Sequence, residues 1–170
     1  MMGAGKSAVG AALAKKLGRD FIDTDREIET RAGRSIGAIF AEDGEDAFRA
    51  LERETIEGLA ATHAVVALGG GAIAQPGLSE RLRSAGVVVY LRAAPDALAA
   101  RLEGREDRPL LAGLDRAARR ARLAELLAER ESAYESATVS VDTEGLAVSA
   151  VVEAVCRRIS DANAAAGGAE

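Results

Sequence analysis

The stretch Gly3-Ala4-Gly5-Lys6-Ser7 stands at the start of the chain and runs directly into a helical pattern. It matches the second half of the phosphate-binding loop (P-loop) pattern G-x-x-x-x-G-K-[ST], whose backbone N–H groups bind phosphate oxygens at a helix N-terminus. Lys6 can reach the β- and γ-phosphates of a nucleoside triphosphate, and the Ser7 hydroxyl can ligate Mg²⁺. An ordinary helix start is the alternative. We predict a triphosphate site formed by Gly3, Ala4, Gly5, Lys6, Ser7 and Ala8.

The β-strand that normally leads into a P-loop has no counterpart in this sequence. A full motif would need a glycine one position before Met1. That strand is usually interior to the sheet, and buried backbone groups left unpaired cost roughly 1–3 kcal/mol each. Several of them would rival the stability of a whole domain, about 5–15 kcal/mol. We therefore expect the natural chain to start upstream, with Met1 a misassigned start; a shorter, poorly active or unstable natural chain is the alternative.

The composition is typical of one globular domain that binds neither nucleic acid nor membranes. A chain of 170 residues suits one domain with a substantial core. The net charge of −5 and the aromatic content of 3% argue against a nucleic-acid surface. No apolar run approaches the roughly 18–20 residues that a membrane span needs, and the N-terminus lacks signal-peptide character. We therefore expect a cytoplasmic protein.

Strand and helix patterns alternate along the chain. Strands are predicted near 21–22, 64–68, 86–91 and 138–141, and helices near 6–17, 25–32, 35–42, 45–61, 77–84, 95–102, 117–134 and 146–160. This alternation predicts an α/β fold with a parallel sheet covered on both faces. One domain is expected over residues 1–160, with a mobile loop, or lid, at about 104–120 and a disordered tail at 161–170.

Two carboxylates follow the first predicted strand. Asp23 and Asp25 lie at its end and point in different directions, because side chains alternate along a strand. One of them can face the metal, directly or through water, while the other faces a second substrate. The alternative is that one of the two caps the helix that starts near Arg26.

Two further motifs suit an anionic ligand. Gly69-Gly70-Gly71 follows a predicted buried strand, and glycines permit a close backbone approach to a ligand. A tight turn without a ligand is the alternative. Arg49 and Glu52 lie three residues apart on a predicted helix, so they can pair and aim the guanidinium at a planar carboxylate. An exposed helix salt bridge is the alternative for this pair.

Two more arginines are candidates because of their positions. Arg108 precedes a proline in the glycine-bordered loop, where a cation can close over phosphates. Arg130 lies near the end of a charged helix, shortly before Tyr134. Without further context, a solvated surface position is the alternative for either arginine.

Taken in order, these segments resemble the shikimate kinases, and the resemblance runs from Met2 to about Ile159. The stretches that carry it are Met2–Ser7, Phe21–Asp25, Gly44–Arg49 with Glu52, Leu68–Gly71, Arg108–Leu111, and Arg130 with Tyr134. The resemblance implies transfer of the ATP γ-phosphoryl group to the 3-hydroxyl of shikimate, in the route to chorismate and aromatic amino acids. It also implies the P-loop fold of nucleoside monophosphate kinases, a three-layer fold with a five-stranded parallel sheet and a closing lid.

The resemblance also implies roles for individual residues. Those near ATP are the P-loop, the catalytic Lys6, Arg108 from the lid, and Arg101 against the adenine, while Ser7 holds Mg²⁺ with support from Asp23. Those near shikimate are Asp25, which binds ring hydroxyls and accepts the proton, Arg49 and Arg130 at the carboxylate, and the Gly69-Gly70-Gly71 turn with the Gly70 amide. The expected partners are ATP and shikimate, and the expected state is a monomer.

The chain departs from the family pattern at three places besides the N-terminus. Ala8 replaces the usual hydroxyl residue, Glu131-Ser132-Ala133 lacks a proline, and no arginine occurs near Gly145. Two other functions stay open: a kinase of another small metabolite, such as gluconate, or a P-loop module that binds without turnover. Assays with both acceptors, on this chain and on an extended one, separate the three.

Overall fold

The computed structural model describes residues 1–104 and 109–167. The helices are α1 (Lys6–Leu17), α2 (Thr24–Ala32), α3 (Ile36–Glu42), α4 (Gly44–Leu59), α5 (Leu78–Ala85), α6 (Pro95–Arg101), α7 (Arg116–Glu135) and α8 (Val148–Gly167). The strands are β1 (Phe21–Asp23), β2 (Val65–Ala67), β3 (Val89–Arg92) and β4 (Val139–Asp142). Short 3₁₀ helices occupy Ala72–Ala74 and Pro109–Leu111.

The strands form two parallel pairs, which confirms the predicted α/β class. In the first pair Asp23 of β1 lies opposite Ala67 of β2, and in the second Arg92 of β3 lies opposite Asp142 of β4. The described residues therefore contain four strands in two pairs rather than five in one sheet, and no strand among them leads into the P-loop. Because β1 and β2 are parallel, the segments that follow Asp23 and Ala67 emerge at the same edge.

Glycines let α1 start, pack and stop where it does. Gly5 precedes the helix with φ 86° and Gly18 ends it with φ 62°, left-handed values that side chains resist. On the inner face a Cβ at Gly10 would lie 2.6 Å from the ring of Phe21, so only glycine allows α1 this close to β1. The P-loop is thereby seated beside the end of β1.

Two clusters of buried side chains support the elements that carry the site. The larger one joins the P-loop to α6, α7, α8, β3 and β4, and its members include Ala4, Leu98, Leu123 and Val155. A smaller cluster of Ile28, Ile39 and Phe48 packs α2, α3 and α4 together. Because Phe48 is anchored in that cluster, the next residue, Arg49, is held in a defined direction.

The C-terminal segment differs from expectation. Helix α8 continues to Gly167, so residues 161–167 are helical where a disordered tail was expected. Alanine is the strongest helix former, and Ala162, Ala164, Ala165 and Ala166 favour continuation of the helix. Within residues 1–104 and 109–167, every helix is too short or too polar to span a bilayer.

Candidate active site

The P-loop places Lys6 at the first position of α1, directly after the left-handed Gly5. The first turn of α1 contains no acidic side chain, so its N–H groups keep their attraction for an anion. Lys6 Nζ donates a hydrogen bond to the Met1 carbonyl at 2.7 Å, which folds the lysine back over the loop. At Gly3 a Cβ would lie 3.1 Å from Leu102, so the loop also packs closely on the end of α6.

Ser7 and Asp23, the two residues expected to hold the metal, lie within hydrogen-bond distance of each other. The Ser7 hydroxyl donates to Asp23 Oδ2 at 2.5 Å, although the two residues are 16 positions apart. The other oxygen of Asp23 accepts the N–H of Asp25 at 3.1 Å and caps α2. The Asp23 carboxylate therefore caps α2 and lies beside the Ser7 hydroxyl at the same time. A hydroxyl and a carboxylate oxygen side by side suit a hard cation such as Mg²⁺.

Gly69 brings two carboxylates against the turn after β2. A Cβ there would overlap Glu52 Oε1 and would lie 3.0 Å from Asp25 Oδ1. The Gly69 N–H donates to the Thr24 hydroxyl at 3.1 Å, and that hydroxyl donates to the Ala67 carbonyl at 3.2 Å. Thr24 is completely buried and ties the start of α2 to the end of β2. Sequence reasoning missed Thr24, whose only signal was its place between the two aspartates.

Gly71 lies against Arg49. A Cβ at Gly71 would lie 2.6 Å from Arg49 Nη2, so the guanidinium occupies the space that a side chain would take. Arg49 donates to Glu52 Oε2 at 2.7 Å, which confirms the predicted pair, and to Glu45 at 2.8 Å. Glu45 was missed, although its i−4 spacing from Arg49 on a helix was a usable signal.

Arg130 is buried, so the surface alternative is wrong for this residue. The residue as a whole is only 8% exposed, and its guanidinium donates to the Gly70 carbonyl at 3.4 Å. Tyr134 donates to the same carbonyl at 2.5 Å. On the other side a Cβ at Gly70 would lie 3.1 Å from the backbone nitrogen of Met2, so Gly70 separates α7 from the P-loop.

Arg101 lies on the P-loop side of the molecule. It ends α6, and its guanidinium donates to the hydroxyl and the carbonyl of Thr143 at 3.0 and 2.7 Å. The next residue, Leu102, is the one that packs against Gly3. Arg108 lies outside the described residues, so its expected position over the phosphates stays a prediction.

The turn Gly69–Gly71 thus collects Asp25, Arg49 and Arg130, and Ser7 and Asp23 adjoin them. Comparison with known proteins identifies the family that has such a site. The family model for shikimate kinase matches residues 2–160. The chain belongs to the shikimate kinase family. It is an ATP-dependent kinase with the P-loop, nucleoside-monophosphate-kinase-like fold of that family.

Relatives and solved structures of shikimate kinases cover most of the chain. The shikimate kinase of Chlorobaculum tepidum is 45% identical over 163 residues, which are 92% of this chain and 85% of that protein. That of Mycobacterium avium is 45% identical over 92% of this chain and 88% of its own length. The structure of the Acinetobacter baumannii enzyme in complex with shikimate superposes with a TM-score of 0.88 at 36% identity, covering 94% of this chain and 89% of that one. The structure of the Bacteroides thetaiotaomicron shikimate kinase superposes with a TM-score of 0.84 at 33% identity, covering 94% of this chain and 92% of that one.

Glu52 places a buried carboxyl group beside Arg49 in this site. It is 0% exposed; Oε2 accepts from Arg49 and from Gln75 at 2.8 Å, while Oε1 has no hydrogen-bond partner among residues 1–104 and 109–167. Burial raises the pKa of Glu52, Arg49 lowers it, and the nearby charge of Asp25 raises it again, so that the net shift is upward. Glu52 therefore orients Arg49 while keeping a tendency to take up a proton.

Replacing Glu52 with glutamine is expected to change how stability depends on pH. The raised pKa means that the folded protein holds this proton more tightly than the unfolded chain. Stability contributed by Glu52 is therefore present at low pH and falls as pH rises from the ordinary glutamate pKa through the raised one. Urea unfolding of the wild type and of Glu52→Gln, from about pH 4.5 to 8, measures the free energy of unfolding. That free energy should rise for Glu52→Gln relative to the wild type as pH rises. Glu45→Gln, which removes an exposed partner of Arg49, is the control, and a difference independent of pH would contradict the expectation.

Replacing Gly71 with alanine is expected to displace the Arg49 guanidinium while the protein stays folded. The new Cβ would lie 2.6 Å from Nη2 and 2.7 Å from Nη1, and the flexible arginine can move aside. We expect KM for the acceptor to rise on the order of tenfold, or about 1.4 kcal/mol. Gly58→Ala on α4 is the matched control, because a Cβ there would meet no atom of the described residues within 4 Å. Unchanged KM values in Gly71→Ala would show that acceptor binding does not depend on the position of the Arg49 guanidinium against Gly71.

Proposed function

We propose that this chain transfers the γ-phosphoryl group of ATP to the 3-hydroxyl of shikimate, giving 3-phosphoshikimate and ADP. The observation that carries the proposal is the turn Gly69–Gly71, against which Asp25, Arg49 and Arg130 all lie beside the P-loop. Shikimate is a small ring acid with several hydroxyls, so it needs cations for its carboxylate and an acceptor for its hydroxyl protons. The similarity to a solved shikimate kinase in complex with shikimate supports the same assignment.

At the ATP end the chain supplies positive charge. The first turn of α1 and the Lys6 ammonium bind phosphate oxygens and stabilise the charge that spreads over them in the transition state. Ser7 and Asp23 would hold Mg²⁺, and an ion bound there would neutralise phosphate charge. We assign Arg101 to the adenine and Arg108 to the phosphates.

At the acceptor end the chain positions the hydroxyl that reacts. Arg49 and Arg130 bind the carboxylate, and the Gly70 amide adds a hydrogen bond. Asp25 accepts the hydrogen bond of the reacting hydroxyl and takes up its proton as the new P–O bond forms. Phosphoryl transfer depends on alignment and charge more than on a strong base, so an ordinary carboxylate suffices.

The test is ADP release coupled to a spectrophotometric assay, with shikimate and gluconate as acceptors. The proposal expects turnover with shikimate and none above background with gluconate. Turnover of gluconate alone would assign a different metabolite kinase. Calorimetric binding of ATP and shikimate without ADP release, in this chain and in one extended upstream, would assign a non-catalytic binding module. We also propose that the protein is a monomer and that it is cytoplasmic. Light scattering after gel filtration tests the monomeric state.

A further inference from the structure

Tyr134 is a buried phenol for which the reaction has no direct use. It lies one helical turn after Arg130 on α7 and is 4% exposed. Its hydroxyl donates to the Gly70 carbonyl at 2.5 Å, and Arg130 donates to the same oxygen at 3.4 Å. Its ring stacks on Tyr90 of β3, with centroids 4.8 Å apart and planes 7° from parallel. The hydroxyl is therefore aimed by a ring that cannot turn freely.

The bond from Tyr134 is the shorter of two side-chain hydrogen bonds that hold the Gly70 carbonyl, within a turn of three glycines. A run of three glycines has the widest choice of backbone angles, so its conformation must be imposed by neighbours. The Gly70 carbonyl and the Gly71 N–H belong to one planar peptide and point in opposite directions. Holding the carbonyl toward α7 therefore directs the Gly71 N–H away from α7. Within residues 1–104 and 109–167, the N–H groups of Gly70 and Gly71 form no hydrogen bond to another backbone group.

Both arginines lie against the same peptide. Gly71 is in contact with the Arg49 guanidinium, because a Cβ there would lie 2.6 Å from Nη2. Gly70 receives the hydrogen bond from Arg130. A rotation of the Gly70–Gly71 peptide would push against one guanidinium and release the other. The orientation of this peptide therefore affects where both guanidinium groups lie.

We propose that Tyr134 is a positioning residue for the acceptor carboxylate. It holds the Gly70–Gly71 peptide so that the turn amides and the two guanidinium groups, of Arg49 and Arg130, face one carboxylate together. The role rests on the proposed function, since it concerns the shikimate end of the site. Burial raises the pKa of Tyr134, with Arg130 opposing this, so the phenol remains a hydrogen-bond donor at neutral pH and above.

The test compares Tyr134→Phe with Tyr90→Phe in steady-state assays of the whole chain. Each variant keeps its ring in the stack and loses one hydroxyl, but only Tyr134 bonds to Gly70. We expect Tyr134→Phe to raise KM for shikimate about three- to tenfold, the effect of one neutral hydrogen bond. KM for ATP should stay within about twofold, and Tyr90→Phe should leave both values unchanged.

Melting temperatures separate positioning from simple packing. A fall in melting temperature with unchanged KM for shikimate, or an equal rise in both KM values, would overturn the inference and leave the proposed function standing. An equal KM effect in Tyr90→Phe would also overturn it, because the stack rather than the hydroxyl would then matter. A wild-type chain that neither binds nor phosphorylates shikimate would overturn the proposed function, and this inference with it.

Discussion

Replacing Lys6 with alanine is expected to lower kcat by about 10²–10³-fold, the effect of losing one donor that stabilises transition-state charge. Lys6 begins α1 and lies over the P-loop with its ammonium 2.7 Å from the Met1 carbonyl. Phosphoryl transfer spreads negative charge over the oxygens of the moving group, and little besides positioned positive charge lowers its barrier. The loss should therefore appear in kcat more than in KM for shikimate.

Steady-state kinetics with both substrates varied measure this effect. Lys6→Met keeps the aliphatic stem and removes the charge, so it should behave like Lys6→Ala. Lys15→Ala on the exposed side of the same helix is the matched control and should leave kcat unchanged. A Lys6→Ala protein that retains more than about a tenth of wild-type kcat would contradict the role of Lys6 at the phosphates.

Replacing Arg49 with alanine is expected to raise KM for shikimate about 100-fold, because one or two charge-assisted hydrogen bonds to the carboxylate are lost. KM for ATP should change far less. A second effect on stability should follow, because Arg49 is the cation beside the fully buried Glu52. Removing one partner of a buried pair costs about 3–5 kcal/mol, part of which Glu52 avoids by binding a proton.

Two further variants separate these effects. Arg53→Ala removes an arginine from the next turn of the same helix, one that donates to the Pro76 carbonyl at 3.0 Å, and should leave KM for shikimate near the wild-type value. The double variant Arg49→Ala with Glu52→Gln should recover much of the stability without recovering KM. Equal increases in KM for ATP and shikimate in Arg49→Ala would remove Arg49 from the carboxylate site.

Features determined by neighbouring residues were predictable. Helix α1 spans Lys6–Leu17 as predicted, because a glycine-rich loop starts it and Gly18 stops it. The pairing of Arg49 with Glu52 follows from helical spacing alone. The end of α8 was not predictable in the same way. An alanine-rich segment is compatible with a helix or with a disordered tail when no packing partner is known.

Contacts between distant segments were not predictable in detail. The sequence marks Gly69–Gly71 as a turn, but not that one glycine faces Glu52, the next faces the P-loop and the third faces Arg49. Nor does it show that Glu52 is fully buried, with one oxygen that has no hydrogen-bond partner in the described part of the chain. Tyr134 and Gly70 are 64 positions apart, and no local pattern joins them. These features depend on how α4 and α7 pack around the end of β2.

The order of the residues along the chain was enough for the α/β class, the phosphate loop and the chemical types that the site needs. Those properties depend on periodicity, spacing and side-chain chemistry, which the linear order carries. Three-dimensional packing settled that Arg130 is buried rather than solvated, that Asp23 both caps α2 and meets Ser7, and that three glycines separate the charged groups. Burial and contact across 16 to 64 positions depend on where the helices lie against the strands, and no short stretch of sequence contains that information.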